Sequence, residues 1–119
     1  MDIKKLIKSF KFAGEGLVSV FKEEQNFRIE VLVALVVIIS MVCLPLSGIE
    51  IAVLSLAISS VLVMEILNTV LERLLDMNIK GKNKKIKFLK DIMAGAVLLN
   101  VLVAVVVGSI IFWQYLFQN

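Results

Sequence analysis

The chain has 119 residues, 60% of them hydrophobic, a mean hydropathy of +0.97 and a formal charge of +3. A water-soluble domain is ordinarily about 45–50% apolar, so this composition excludes a soluble fold of this length, whose core could not hide so many apolar side chains. There is no histidine, and the single cysteine, Cys43, lies in an apolar stretch, so neither a disulfide framework nor a histidine-based metal centre is supported.

Residues 2–22, DIKKLIKSFKFAGEGLVSVFK, place Ile3, Leu6, Ile7, Phe10, Leu17, Val20 and Phe21 at three- and four-residue spacings, with lysines over much of the other side. This pattern predicts an amphipathic helix over residues 2–25 that lies along a membrane surface or packs back on the rest of the chain. Gly14 and Gly16 argue for a break in it or for a close neighbour. Residues 1–28 are too mixed for a signal peptide and no small-residue cleavage site follows the first apolar run, so no span is expected to be removed.

Three apolar blocks follow. Residues 29–46 are interrupted by Glu30 and Ser40, residues 49–75 are uncharged from Ile51 to Met64, and residues 92–117 hold no charge. Crossing roughly 30 Å of hydrocarbon takes about 20 helical residues, so each block is long enough to span. Asn26 is a candidate cap at the entry to the first span, Pro45 ends or bends it, and Ser47-Gly48 marks the turn into the second. Residues 78–89, which include NIKGKNKK, read as a cytoplasmic loop. With no internal repeat, residues 1–119 read as one all-α membrane domain: three transmembrane helices and an amino-terminal surface helix.

Charge placement orients these spans. Lys4, Lys5, Lys8, Lys11, Lys22 and Arg28 precede the first, and the segment from Arg73 to Asp91 carries seven basic and two acidic residues, whereas residues 46–50 and 118–119 have no basic residue. By the positive-inside rule the amino terminus and the lysine loop face the cytoplasm, and the short turn and the carboxyl terminus face away. The basic loop suits anionic headgroups or a phosphorylated soluble ligand, although topology alone explains it equally well. Nucleic acid is not expected, since no aromatic residues interleave a basic groove.

The chemistry lies in Val61 to Asp76, VLVMEILNTVLERLLD. Offsets of three, four and four residues place Glu65, Asn68, Glu72 and Asp76 along one helical stripe. A carboxylate facing lipid is expensive, by at least about 2.5 kcal/mol at mid-bilayer, so the stripe must face protein, water or a ligand. Glu72 and Asp76 can be explained as solvated groups or as partners of Arg73, Lys80 or Lys90. Glu65 and Asn68 lie deeper, where a carboxylate must pair, open to a cleft or take up a proton. Lys90 and Asp91 reach the level of Glu72 and Asp76 at the start of the third span, beside the low-profile Ala94, Gly95 and Ala96. Glu23, Glu24, Arg28 and Glu30 reach it from the first.

Adjacent carboxylates can hold Mg²⁺ with phosphates completing its shell, a separate carboxylate can take a hydroxyl proton, and lysines can clamp phosphate. The chain has no G-x-x-x-x-G-K-[ST], H-R-D or D-F-G motif, so soluble nucleotide-binding folds are unsupported.

The run Glu65-x-x-Asn68-Thr69-x-x-Glu72-x-x-x-Asp76, the segment Lys90-Asp91-x-x-Ala94-x-Ala96-Val97 and the upstream Glu24-x-x-Phe27-Arg28 resemble the small prokaryotic diacylglycerol kinase family, which includes undecaprenol kinases. The resemblance runs from Ser9-Phe10-Lys11 through the third span. It implies an integral membrane homotrimer with composite sites at subunit boundaries, transferring the gamma phosphate of Mg-ATP to a lipid hydroxyl. By position, Glu65 resembles the general base and Asn68 its polar neighbour. Glu24 and Glu72 resemble the Mg²⁺ ligands, Asp76 and Lys90 fall with them among the nucleotide-binding positions, and Asp91 resembles a catalytic, site-organising residue.

The partners so implied are ATP, a membrane lipid alcohol, anionic lipids and further copies of the chain in a prokaryotic cytoplasmic membrane. Undecaprenol is the expected acceptor, with diacylglycerol as the alternative. Many relatives carry lysine where this chain has Glu15, and an acidic residue and histidine where it has Gly81 and Asn83, which bears on how the nucleotide is held. The reading outside enzymes is a noncatalytic membrane-assembly subunit whose polar stripe joins helices.

Overall fold

The computed structural model describes residues 1–78 and 83–117, and the chain folds as four helices: α1 Ile3–Glu23, α2 Gln25–Cys43, α3 Gly48–Asn78 and α4 Lys84–Leu116. Local chemistry sets each boundary. Asp2 caps α1 by accepting the Lys5 N–H at 3.2 Å, and the helix runs unbroken through Gly14 and Gly16. An added Cβ at either glycine would meet nothing within 4 Å, so neither serves a close approach within the chain. Glu24 leaves helical geometry at φ −111°, ψ 112° and is at once the end of α1 and the cap position of α2.

Helix α2 starts at Gln25, before the expected residue 29, because the elbow at Glu24 comes immediately ahead of it. It ends at Cys43, and Leu44 is extended, the conformation that a following proline favours. Ser47 and Glu50 then open α3 with a reciprocal capping pair: the Ser47 N–H donates to Glu50 Oε1 at 3.0 Å and the Glu50 N–H to Ser47 Oγ at 3.2 Å. The expected loop over 78–89 is shorter than its composition suggested. Asn83 caps α4 by accepting the Lys85 N–H at 2.8 Å, and Lys84 to Leu89 are already helical. Lysine is a good helix former, and buried Ile86 anchors this turn. Gly81, with its neighbouring residues 79, 80 and 82, lies outside the described residues.

Helix α3 is central, packing against α4 on one side and α2 on the other, while the contacts of α1 are chiefly with α2. Midway along the bundle, Ser60 Oγ donates to Asn100 Oδ1 at 3.1 Å and Asn100 Nδ2 donates back to the Ser60 carbonyl at 3.3 Å, tying α3 to α4. The buried apolar set is small: Phe27, Ala34, Leu54, Ile86 and Ile111. The accessible surface is 9190 Å², against about 6,400 Å² for a folded soluble monomer of this mass. The excess is apolar and needs lipid or other protein to cover it.

Helices α2, α3 and α4 are each long and apolar enough to cross a membrane. The 19 residues of α2 extend about 28 Å, matching the hydrocarbon thickness. The 31 of α3 and 33 of α4 extend about 46 and 50 Å, so both overshoot it. The overshoot at one end carries Glu72, Arg73, Asp76, Lys87, Lys90 and Asp91.

Candidate functional site

The polar stripe of α3 meets the elbow between α1 and α2. At about 100° per residue, Glu65, Glu72 and Asp76 fall within roughly 20° of one line along the helix, with Asn68 and Thr69 flanking it on opposite sides. Burial grades along this line. Glu65 is 3% exposed and Thr69 5%, Asn68 and Glu72 are half-buried and Asp76 is exposed. The Thr69 hydroxyl donates to the Glu65 backbone carbonyl at 3.0 Å, leaving the Glu65 carboxylate to other neighbours. Those are the Asn68 amide and the carboxylates of Glu72 and Glu24, its electrostatic neighbours. Glu30 of α2 is a further electrostatic neighbour of Glu65.

Two arginines shape the elbow. Arg28 Nη1 donates to the carbonyls of Phe21 at 2.9 Å and Lys22 at 2.8 Å, satisfying the end of α1, whose last carbonyls have no partner within the helix. Arg73 of α3 reaches across: its Nη2 donates to Glu23 Oε2 at 2.9 Å and to Glu24 Oε1 at 3.0 Å. Glu24 makes no side-chain capping bond at the start of α2, so its carboxylate is free to turn toward α3.

On the α4 side, Lys90 Nζ donates to Asp76 Oδ1 at 2.7 Å and is also an electrostatic neighbour of Glu72. Asp91 is exposed and paired with Lys87 at 2.6 Å one turn back on its own helix. The expected site residues Glu24, Glu65, Asn68 and Glu72 are thus together, with Asp76 and Lys90 beside them. No contact among the described residues joins Asp91 to Glu65 or Glu72.

Among the described residues no set of three His, Cys, Asp or Glu side chains has the geometry of a complete metal site. Glu24 and Glu72 are carboxylates of the kind a hard cation takes, and both are electrostatic neighbours of Glu65. They offer carboxylate oxygens beside a third carboxylate, and Glu24 already holds a cationic group, the Arg73 guanidinium. Mg²⁺ is commonly bound by one or two carboxylates plus phosphate oxygens and water.

Two participants depart from the sequence pattern. One is Arg73, a basic side chain in an otherwise acidic stripe: the pattern offers it as a partner of Glu72 or Asp76, whereas it pairs with Glu23 and Glu24. The other is Glu30, whose Oε2 is buried without a hydrogen-bond partner among the described residues. Glu30 also stands at one end of a groove of about 630 Å³ between α2 and α4, floored by α3. Apart from Glu30 and Ser109 its lining is apolar, and on α4 it extends from Val101 to Phe117, about 24 Å of helix. The Trp113 and Phe117 rings, with centroids 4.4 Å apart, lie among the lining residues at the far end. The volume falls within the roughly 300–1,000 Å³ usual for small-molecule pockets.

Residues 11–112 match the sequence profile described as prokaryotic diacylglycerol kinase. A diacylglycerol kinase of Synechocystis sp. is 38% identical over 105 residues, 87% of this chain and 60% of that protein's length. An undecaprenol kinase of Bacillus subtilis is 31% identical over 111 residues, 93% of this chain and 90% of that protein.

Proposed function

The chain belongs to the prokaryotic diacylglycerol kinase family, and we propose that it is an ATP-dependent lipid kinase acting on a membrane-embedded alcohol. The observation that carries this reading is the burial of Glu65, with Asn68, Glu24 and Glu72 as its electrostatic neighbours, about two helical turns deeper than Glu72. A base placed there meets a hydroxyl whose tail never leaves the bilayer.

In this mechanism the Glu65 carboxylate accepts the proton of the lipid hydroxyl as the hydroxyl oxygen attacks the gamma phosphorus, the bond from that phosphorus to the beta–gamma bridging oxygen breaks and ADP leaves, while Asn68 orients the reacting groups. Glu24 and Glu72 would hold Mg²⁺, which when bound supplies charge neutralisation for the polyphosphate. Lys90 and Asp76 lie on the water side of Glu72, where Lys90 can trade its carboxylate partner for phosphate oxygens. Asp91, adjacent on α4, is assigned a site-organising role.

The apolar groove that reaches Glu30 supports a lipid acceptor. Its apolar lining suits a lipid tail, and undecaprenol is the acceptor in our reading, with diacylglycerol as the alternative. Glu30 at its mouth has a buried oxygen able to accept from a hydroxyl headgroup. The uncovered apolar surface of α2, α3 and α4 supports assembly with further copies, a trimer in our reading, with sites completed at subunit boundaries. Helix α1, with its phenylalanines and isoleucines exposed and its lysines on much of the opposite side, would lie on an anionic cytoplasmic leaflet. The amino terminus would then be cytoplasmic and the carboxyl terminus on the other side of the cytoplasmic membrane.

The test is transfer of label from gamma-labelled ATP to undecaprenol, diacylglycerol and related alcohols in mixed micelles. Labelled undecaprenyl phosphate is the expected product. Labelling of diacylglycerol alone would reverse the acceptor assignment. No transfer to any alcohol by an intact assembly would overturn the kinase reading in favour of a structural subunit.

A further inference from the structure

We propose that Arg73 is a competing cation built into the metal site: it holds Glu24 while the site is empty, and a divalent cation must displace it onto Glu23. The inference rests on the reading of Glu24 and Glu72 as metal ligands and adds a residue which that reading leaves idle.

The geometry is specific. A single guanidinium nitrogen, Nη2, is shared between Glu23 Oε2 at 2.9 Å and Glu24 Oε1 at 3.0 Å. The two carboxylates are unequal. The Glu24 side chain is 25% exposed and faces inward, whereas Glu23 is 55% exposed. Glu24 belongs to the group around Glu65, being one of its electrostatic neighbours with Glu72. Arg73 therefore bridges a site carboxylate and a carboxylate outside the site.

Chemistry then sets a direction. A small divalent cation binds carboxylate oxygen at about 2.0–2.1 Å, and its charge repels a guanidinium hydrogen-bonded to the same carboxylate. Glu23 lets Arg73 move by a short side-chain shift without losing its last ionic partner. The pair is half-exposed, and ion pairs of this kind contribute little net stability, so it is exchangeable. Arg73 thereby keeps Glu24 occupied while the site is empty, and Glu23 is where it rests when the site fills.

The test is binding of Mn²⁺ alone, without nucleotide, to the detergent-solubilised full chain, followed by the electron paramagnetic resonance signal of free Mn²⁺. Arg73→Gln is expected to tighten binding about two- to five-fold, the range an exposed ion pair supports. Glu23→Gln, which removes the resting place, is expected to weaken it by a similar factor. The double variant separates this mechanism from a general field effect: with Arg73 gone, Glu23→Gln should change affinity little. Should Arg73→Gln lose helical content by circular dichroism, Arg73→Lys takes its place. Lysine keeps the charge but not the planar fork, and a smaller tightening is expected.

Unchanged or weaker Mn²⁺ binding in the Arg73 variants would overturn the proposal, as would a Glu23→Gln effect equally large with and without Arg73. Failure of the underlying reading looks different: there the wild-type chain would bind no Mn²⁺, or would bind it unaffected by Glu24→Gln and Glu72→Gln.

Discussion

Two carboxylates of helix α3, Glu50 in its first turn and Glu65 in what we read as its cytoplasmic half, are treated in opposite ways. Glu50, at the end away from the cytoplasm in our reading, is committed. It accepts the Ser47 N–H at 3.0 Å and the Tyr115 hydroxyl at 2.6 Å, closing a cap and pinning the end of α4. Glu65 is more deeply buried, yet its nearest partners are one amide and a set of like charges from Glu24, Glu30 and Glu72. A carboxylate whose lone pairs are filled by its own fold is structural. One buried among other carboxylates has been left available for a proton, a cation or a substrate, since such crowding is costly unless something is gained from it.

The strongest way to break this contrast is to remove charge from both. Glu65→Gln keeps the shape and the Asn68 contact but cannot accept the hydroxyl proton. Its rate of lipid phosphorylation should fall by about 10²–10⁴, the usual worth of a general base, with its size-exclusion profile unchanged. Glu50→Gln should stay within a few-fold of wild type. A comparable loss in both variants would show that burial, not availability, distinguishes the two. Next in size is Glu72→Gln, for which the Mg²⁺ concentration at half-maximal rate should rise at least about ten-fold, since even outer-shell partners of a metal contribute that much. A change confined to the maximal rate would remove Glu72 from the metal assignment.

The part of this arrangement legible in the sequence was the part carried by single helices. The three spans followed from apolar length, and the stripe of Glu65, Asn68, Glu72 and Asp76 from offsets alone, because both are properties of one element. What depends on packing was not legible. Arg73 lies 49 residues from Glu24, and nothing in either local pattern announces the pair. Glu30 was visible as a charge in an apolar run, but its approach to Glu65 comes from how α2 crosses α3. Helix α4 begins inside the expected 78–89 loop for a different reason: a lysine-rich segment suits a solvated helical turn as well as a loop, and the Asn83 side chain decides the matter by capping. Asp91 was assigned to the site by resemblance, while its contact in the structure is with Lys87.

The committed end offers a smaller effect of opposite character. Tyr115→Phe removes the hydroxyl from Glu50 without altering the ring. The expected result is a melting temperature in detergent lower by roughly 5 °C, as for the loss of one hydrogen bond to a charged group, with phosphate transfer unchanged. A loss of transfer without loss of stability would mean that the Glu50 end also serves the reaction, and the contrast between the two carboxylates would fail.

Between the two carboxylates lies the pair that belongs to neither. Ser60 and Asn100 exchange hydrogen bonds at 3.1 and 3.3 Å, fixing the register of α3 against α4 midway between Glu50 and Lys90. Interhelical hydrogen bonds within a bilayer average only about 0.6 kcal/mol, so Asn100→Ala should produce the smallest change in stability of the set. Register is a different quantity from stability. Lys90 follows α4 and Asp76 follows α3, so a slip of either helix parts them even where the bundle stays folded. The expected signature of Asn100→Ala is therefore a raised KM for ATP with little change in melting temperature. A shift in melting temperature with KM unchanged would make the pair a plain fastener with no bearing on the site.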